Sequence, residues 1–332
     1  LKTSKLSTMH SFTNFRTWGI VIFILFHLQL KNATAQYTLQ DDDVQISGGI
    51  ITACIYNFAE KDIIVPETLQ GQTVIGIADA SAYNTGAFYN KGITSISFPQ
   101  SIQFIGSNSF RTNAISNIDL SNLPQLKEIR TAAFIQNTAT SVDLSNCSSL
   151  LSIGNSAFQI CDILSINFTG CSALQTIGEQ AFYDNEISGL DFSPLSELIS
   201  IGVRAFFNNS ISSVNFNNCT SLQMIDHYAF THNSLSNIDI TPCTGLLEIG
   251  PSAFTYNSIT SFVLPVVTGY EENGWRNSSN QVFAGGDVTT NLTASYFVPV
   301  PYTLTDADVV VTDGVLTSCS YNFASKDIII PD

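Results

Sequence analysis

The stretch SVDLSNCSSLLSIGNSAFQIC, residues 141–161, decides how this chain folds. Val142 and Leu144 alternate with Ser141, Asp143 and Ser145, the two-residue period of a short strand with one face buried. Ile153-Gly154 and Ala157-Phe158 follow, and stepping outward by 24 residues in either direction recovers the same landmarks. Phe110, Phe134, Phe158, Phe182, Phe206, Phe230 and Phe254 form one uninterrupted register, each preceded by Ala except at Ser109. An Ile stands five residues before each Phe, from Ile105 to Ile249. Asn stands three residues after each, at Asn113, Asn137, Asn185, Asn209, Asn233 and Asn257, with Cys161 the exception. A weaker unit begins near Ile63 and ends at Phe88, so about eight turns are expected. No single unit can bury its apolar face alone, and stacking against its neighbours is what makes a core.

The strand segments follow one pattern, as in Ile115-x-x-Ile118-x-Leu120 and Ile163-x-x-Ile166-x-Phe168. Three residues further on stands Leu123, Cys147, Cys171, Leu195, Cys219 or Cys243. This is the L-x-x-L-x-L-x-x-(N/C) pattern of leucine-rich repeats. With the recurring I-G-x-x-A-F it closely resembles the BspA-like leucine-rich repeats over residues 62–265. The resemblance implies a repeat solenoid, a right-handed superhelix of short parallel β-strands with β-rich capping modules. It also implies a secreted or surface location, a binding or adhesion role, and no catalytic residues or cofactors.

Two further pieces flank the array. Residues 36–61 read as a β-rich N-terminal cap, and 302–332 repeat it at an offset of 265: Tyr37-Thr-Leu matches Tyr302-Thr-Leu, and Tyr56-Asn-Phe-Ala matches Tyr321-Asn-Phe-Ala. The second copy is read as the truncated start of another cap and solenoid. Residues 266–301 lose the period and read as a C-terminal cap over the last turn. Alternatively, their Gly269-Tyr270-x-x-x-Gly274-Trp275 core resembles the small β-repeats found beside leucine-rich repeats on bacterial surface proteins.

At the other end, Lys2, Lys5 and Arg16 precede an apolar run from Trp18 to Leu30, followed by Ala33-Thr34-Ala35. This order predicts a secretory signal peptide, residues 1–35, cleaved after Ala35. The run is too short to span a bilayer. Cleavage removes four of the 12 Lys and Arg and no acid, taking the net charge from −15 to −19. So acidic a chain cannot supply the cations that nucleic-acid binding requires. A hydrophobic content of 44% with 23 Phe excludes disorder over most of its 332 residues.

Chemistry finds little to work with. Beyond the leader the His are His227 and His232, in one repeat. Cys161 in the Asn column invites a Cys–His reading, but strands about 4.8 Å apart place it on the order of 14 Å from His232, three turns away. No His-Glu-x-x-His, Cys-x-x-Cys or phosphate loop is present. An enzyme, a metal site and a cofactor are therefore not expected. Cys147 and Cys171, like Cys219 and Cys243, fall on adjacent turns within reach of a disulfide. The column shared with Leu123 and Leu195 instead asks for small buried apolar groups, hence free thiols.

Between the inward strand residues lie Asp119, Asp143, Asn167, Asp191, Asn215 and Asp239, flanked by Ser, Thr and Asn. This outward ladder is the candidate partner-binding site, on the concave face that solenoids commonly use. The partner class is an extracellular protein or glycan. A calcium ladder would need a denser carboxylate set. Two functions stay open: a binding or adhesion protein, and a structural spacer that projects another module from the cell surface. The uniform Ser/Thr/Asn/Asp character of the columns keeps the second alive.

Overall fold

The computed structural model describes residues 35–265 and, beyond them, the backbone of the strands Trp275–Arg276, Val298–Pro299, Tyr302–Thr303, Val309–Thr312, Val315–Cys319 and Ile328–Ile329. Within 35–265 each turn of the chain carries two short strands. The first kind contains the outward Asp/Asn residues, as in Ser141–Asp143 and Ser165–Asn167. The second contains the Ile before Gly, as in Ser152–Ile153 and Thr176–Ile177. Each strand of the second kind pairs in parallel with its equivalent one turn on, Ile153 with Ile177 and Ile177 with Ile201, whereas those of the first kind pair in groups of two or three. Nine such strands of the second kind make one sheet, closed at its N-terminal edge by the antiparallel strand Val44–Ser47.

Strands of the first kind number ten, from Gln36–Thr38 to Ser261–Val263, so the described residues form nine turns and the first strand of a tenth, not eight. The difference is one turn at the N-terminus and one strand, Ser261–Val263, at the other end. Gln36 pairs with Asp62, and Asp62 with Ser95, both in parallel. Residues 36–61 thus form a turn of the coil itself. Those first two turns carry insertions that break the 24-residue spacing, and strand pairing defines a turn where spacing does not.

The inward residues form one continuous core from Leu39 to Leu264. Its spine is the Phe column. Rings from Phe88 to Phe254 stack nearly parallel, with centroids 4.8 Å apart at Phe88–Phe110 and 5.5 Å apart at Phe134–Phe158. The strand spacing imposes that distance, which also suits ring stacking. The Asn column explains its own recurrence. Asn137 donates from Nδ2 to the carbonyls of Phe134 and Phe110 at 2.7 and 3.1 Å and accepts the Ile115 N–H at Oδ1. Each Asn therefore fastens its loop to the turn before it and satisfies backbone groups that the loop leaves buried.

The Phe loop is tight. Gln136, Ile160, Asp184, Asn208, His232 and Tyr256, each two residues after the Phe, all adopt left-handed φ between 53° and 60°. Gly178 shows how closely the turns approach: a Cβ there would sit 2.7 Å from the Asn155 nitrogen. Among the C-terminal strands, Val309–Thr312 pairs with Val315–Cys319 with the same register and bulge as Val44–Ser47 with Ile50–Cys54, at the expected offset. Trp275–Arg276 pairs antiparallel with Val298–Pro299. The expected leader, residues 1–35, lies outside the described residues except for Ala35.

Candidate binding face

The outward column is brought together as a row along successive strands. Asp119 pairs with Asp143 and Asp143 with Asn167. Asp191 pairs with Asn215, and Asp239 with Val263. All six candidates are exposed except Asp143, which is half-buried. A shallow hollow of about 270 Å³ opens between Asn117, Asp119, Asp143 and Asn167.

Each member also has a task inside the fold. Asp119 Oδ1 accepts the Ser121 N–H, Asp143 Oδ1 that of Ser145, Asp191 Oδ1 that of Ser193 and Asp239 Oδ1 that of Thr241, all at 2.9–3.0 Å. Asn167 and Asn215 do the same for Thr169 and Asn217. These are Asx turns, in which a short side chain ends the strand by capping the N–H two residues on. Asn167 and Asn215 also donate from Nδ2 to the preceding Asp143 and Asp191. Where an Asn alternates with an Asp, like-charge contact gives way to a hydrogen bond. At Asp119–Asp143 the two acids remain adjacent. One carboxylate oxygen of each Asp is committed to the backbone. Reversing these charges to Lys therefore costs a turn cap at every site, an effect that repulsion between acids does not anticipate.

Cys54, Cys147, Cys161, Cys171, Cys219 and Cys243 are buried free thiols. Cys147 donates to the Leu120 carbonyl and Cys171 to that of Leu144, both at 3.0 Å. Burial pushes the Cys161 and Cys171 thiols up to about 12, the opposite of what a nucleophile needs. Cys161 donates to Phe134, filling the Asn column. His232 stacks on Tyr256. Among the described residues no group of three His, Cys, Asp or Glu is placed to hold a metal ion.

One surface went unread in the sequence. Tyr183 stacks on Phe207 at 5.2 Å, Phe207 meets His232 edge-on, and His232 stacks on Tyr256 at 4.3 Å. Tyr256 is 73% exposed. The signal was present one or two residues after the repeat Phe, but attention to inward columns passes over it.

A family model described as the BspA type leucine rich repeat region matches residues 81–194 and 152–282, with six copies of the repeat. Solved structures of similar fold include the pneumococcal vaccine antigen PcpA, 15% identical, covering 70% of this chain and 82% of its own, with a TM-score of 0.41. The T. pallidum leucine rich repeat protein TpLRR is 19% identical over 64% of this chain and 82% of its own, with a TM-score of 0.35. A leucine rich cell surface protein of Faecalibacterium prausnitzii is 18% identical over 76% and 59%, with a TM-score of 0.37. Among curated proteins none matches this chain.

Proposed function

The chain belongs to the BspA-type leucine-rich repeat proteins, and from that premise we propose that it is an exported, non-enzymatic protein that binds an extracellular protein or glycan. The partner sits on the Asp/Asn strand face, the concave side of the coil. The observation that carries this reading is the row of exposed Asp and Asn at fixed strand register. Their turn bonds hold them rigid, so little ordering entropy remains to be lost on binding. The basic and apolar order of residues 1–35 supports export, and among the described residues no helix is long and apolar enough to cross a membrane.

Changing Asp119, Asp143, Asp191 and Asp239 together to Asn removes four charges and keeps an acceptor in every turn. Adhesion of the purified protein to cells or matrix should fall sharply. Undiminished adhesion by the folded variant would move binding away from this face.

A second reading has its own observation. Because every Asp of the column caps a backbone N–H, the row can exist for the fold alone, and the segment then serves as a spacer. In that case neither the fourfold variant nor changes at Tyr183 and Tyr256 alter adhesion.

A further inference from the structure

Arg111 is 5% exposed, in the loop that follows Phe110. Its Nη2 donates to Gln136 Oε1 at 2.9 Å, and the Tyr83 ring covers the guanidinium at 3.4 Å. Nε and Nη1 are buried and have no hydrogen-bond partner. Among the described residues the Arg ion pairs belong to Arg130, whose Nη1 meets Asp79 at 2.9 Å and whose Nε meets Glu128 at 2.7 Å. A buried cation with neither an anion nor a full set of acceptors is costly, and such a group calls for an explanation.

The surroundings indicate what would satisfy it. Asn108, three residues earlier in the same loop, has a buried Oδ1 with no donor. Tyr83 is 61% exposed, so its ring is available for stacking. It belongs to an exposed insertion, residues 81–85, outside the sheets. The insertion is anchored just before it, where Ala80 donates to the Ser107 carbonyl and Asp79 accepts the Ser107 N–H. Tyr83 can therefore lift without breaking a strand pair. Charge also favours this stretch of the coil. Residues 61–130 carry five Lys and Arg against five Asp and Glu, whereas residues 131–265 carry one against ten. An anion is repelled by the later turns and by the four acids of residues 36–60, and tolerated between them.

We propose that Arg111 receives the carboxylate of an acidic sugar, a uronic acid residue of a glycan. Asn108 Oδ1 accepts from one of its hydroxyls and Tyr83 packs against its ring. An acidic peptide offers the carboxylate without the ring or the adjacent hydroxyls. The guanidinium suits a planar oxyanion, and burial strengthens the pairing. The site lies on the Phe loops, away from the Asp/Asn face, and stands independently of any binding there.

The test is calorimetric titration of the whole chain with trigalacturonate at low salt, alongside its methyl ester and hexaglutamate. Trigalacturonate should bind, with affinity reduced at least tenfold in Arg111→Met and severalfold in Tyr83→Ala. The ester should bind at least tenfold more weakly than the acid. Thermal melts verify that the variants are folded. If Arg111→Met does not fold, the comparison of acid with ester and the Tyr83→Ala variant decide. Absence of binding, equal affinity for acid and ester, or an unchanged affinity in a folded Arg111→Met would overturn the proposal. Hexaglutamate binding as tightly as trigalacturonate would overturn the assignment to a sugar.

Discussion

Asn167 donates from Nδ2 to Asp143 Oδ1 at 3.0 Å across neighbouring strands, and the same oxygen accepts the Ser145 N–H at 2.9 Å. Charge and geometry on this face can therefore be separated. Asn at the four Asp positions keeps the acceptor, whereas Lys removes it. The fourfold Asn variant should melt close to the parent. The Lys variant should lose about 1 kcal/mol for each cap. Equal losses in urea melts would mean that the turn bonds contribute nothing.

Cys161→Asn should stabilise the protein. The neighbouring Asn185 donates from Nδ2 to the Phe158 carbonyl, as Cys161 donates to that of Phe134, and in addition accepts the Cys161 and Ile163 N–H groups at Oδ1. Completing the column should add about 1 kcal/mol and raise the melting midpoint. A lower midpoint would show that the thiol is favoured there for its packing.

Ile160 holds a φ of 56°, a conformation that β-branched residues resist. Asn208 occupies the equivalent place at 54°. Ile160→Asn should therefore gain about 1 kcal/mol, and Ile160→Val should not. Identical melts for the two variants would remove backbone strain as the cause.

Phe182→Ala should cost more than Phe254→Ala. Phe182 is stacked on both sides, 5.1 Å from Phe158 and 5.2 Å from Phe206. Phe254 stacks on Phe230 alone and meets Phe262 edge-on. Core Phe truncations cost about 3–5 kcal/mol, and the end turn should show the smaller loss. Chemical denaturation of the two variants checks the order.

Burial raises the Cys147 thiol to about 11 and those of Cys161, Cys171 and Cys219 to about 12, from an ordinary value of 9.0. The folded state therefore favours the neutral thiol. The stability this confers is complete below about pH 9 and is lost as pH rises toward the folded values. The urea midpoint should fall above about pH 9, and less steeply when these four Cys are replaced by Ala. An alkaline loss of the same slope in the replaced protein would place its cause elsewhere.

Residue spacing by itself determined that the chain coils, which residues face inward, and that the thiols are buried. A fixed 24-residue period returns equivalent side chains to the same place on every turn, and a strand's alternation fixes which way each one points. The same spacing put Asp119, Asp143, Asn167, Asp191, Asn215 and Asp239 in one row. Tertiary structure alone decided the rest. The first turn departs from the period, so only the pairing of Gln36 with Asp62 reveals it as part of the coil. The capping work of the Asp row depends on where the backbone turns after each strand. Arg111 reads as an ordinary surface cation until Tyr83, 28 residues earlier, is seen to cover it. A period records what repeats, whereas these features arise where the chain departs from it, and there the neighbouring turn sets each side chain's surroundings.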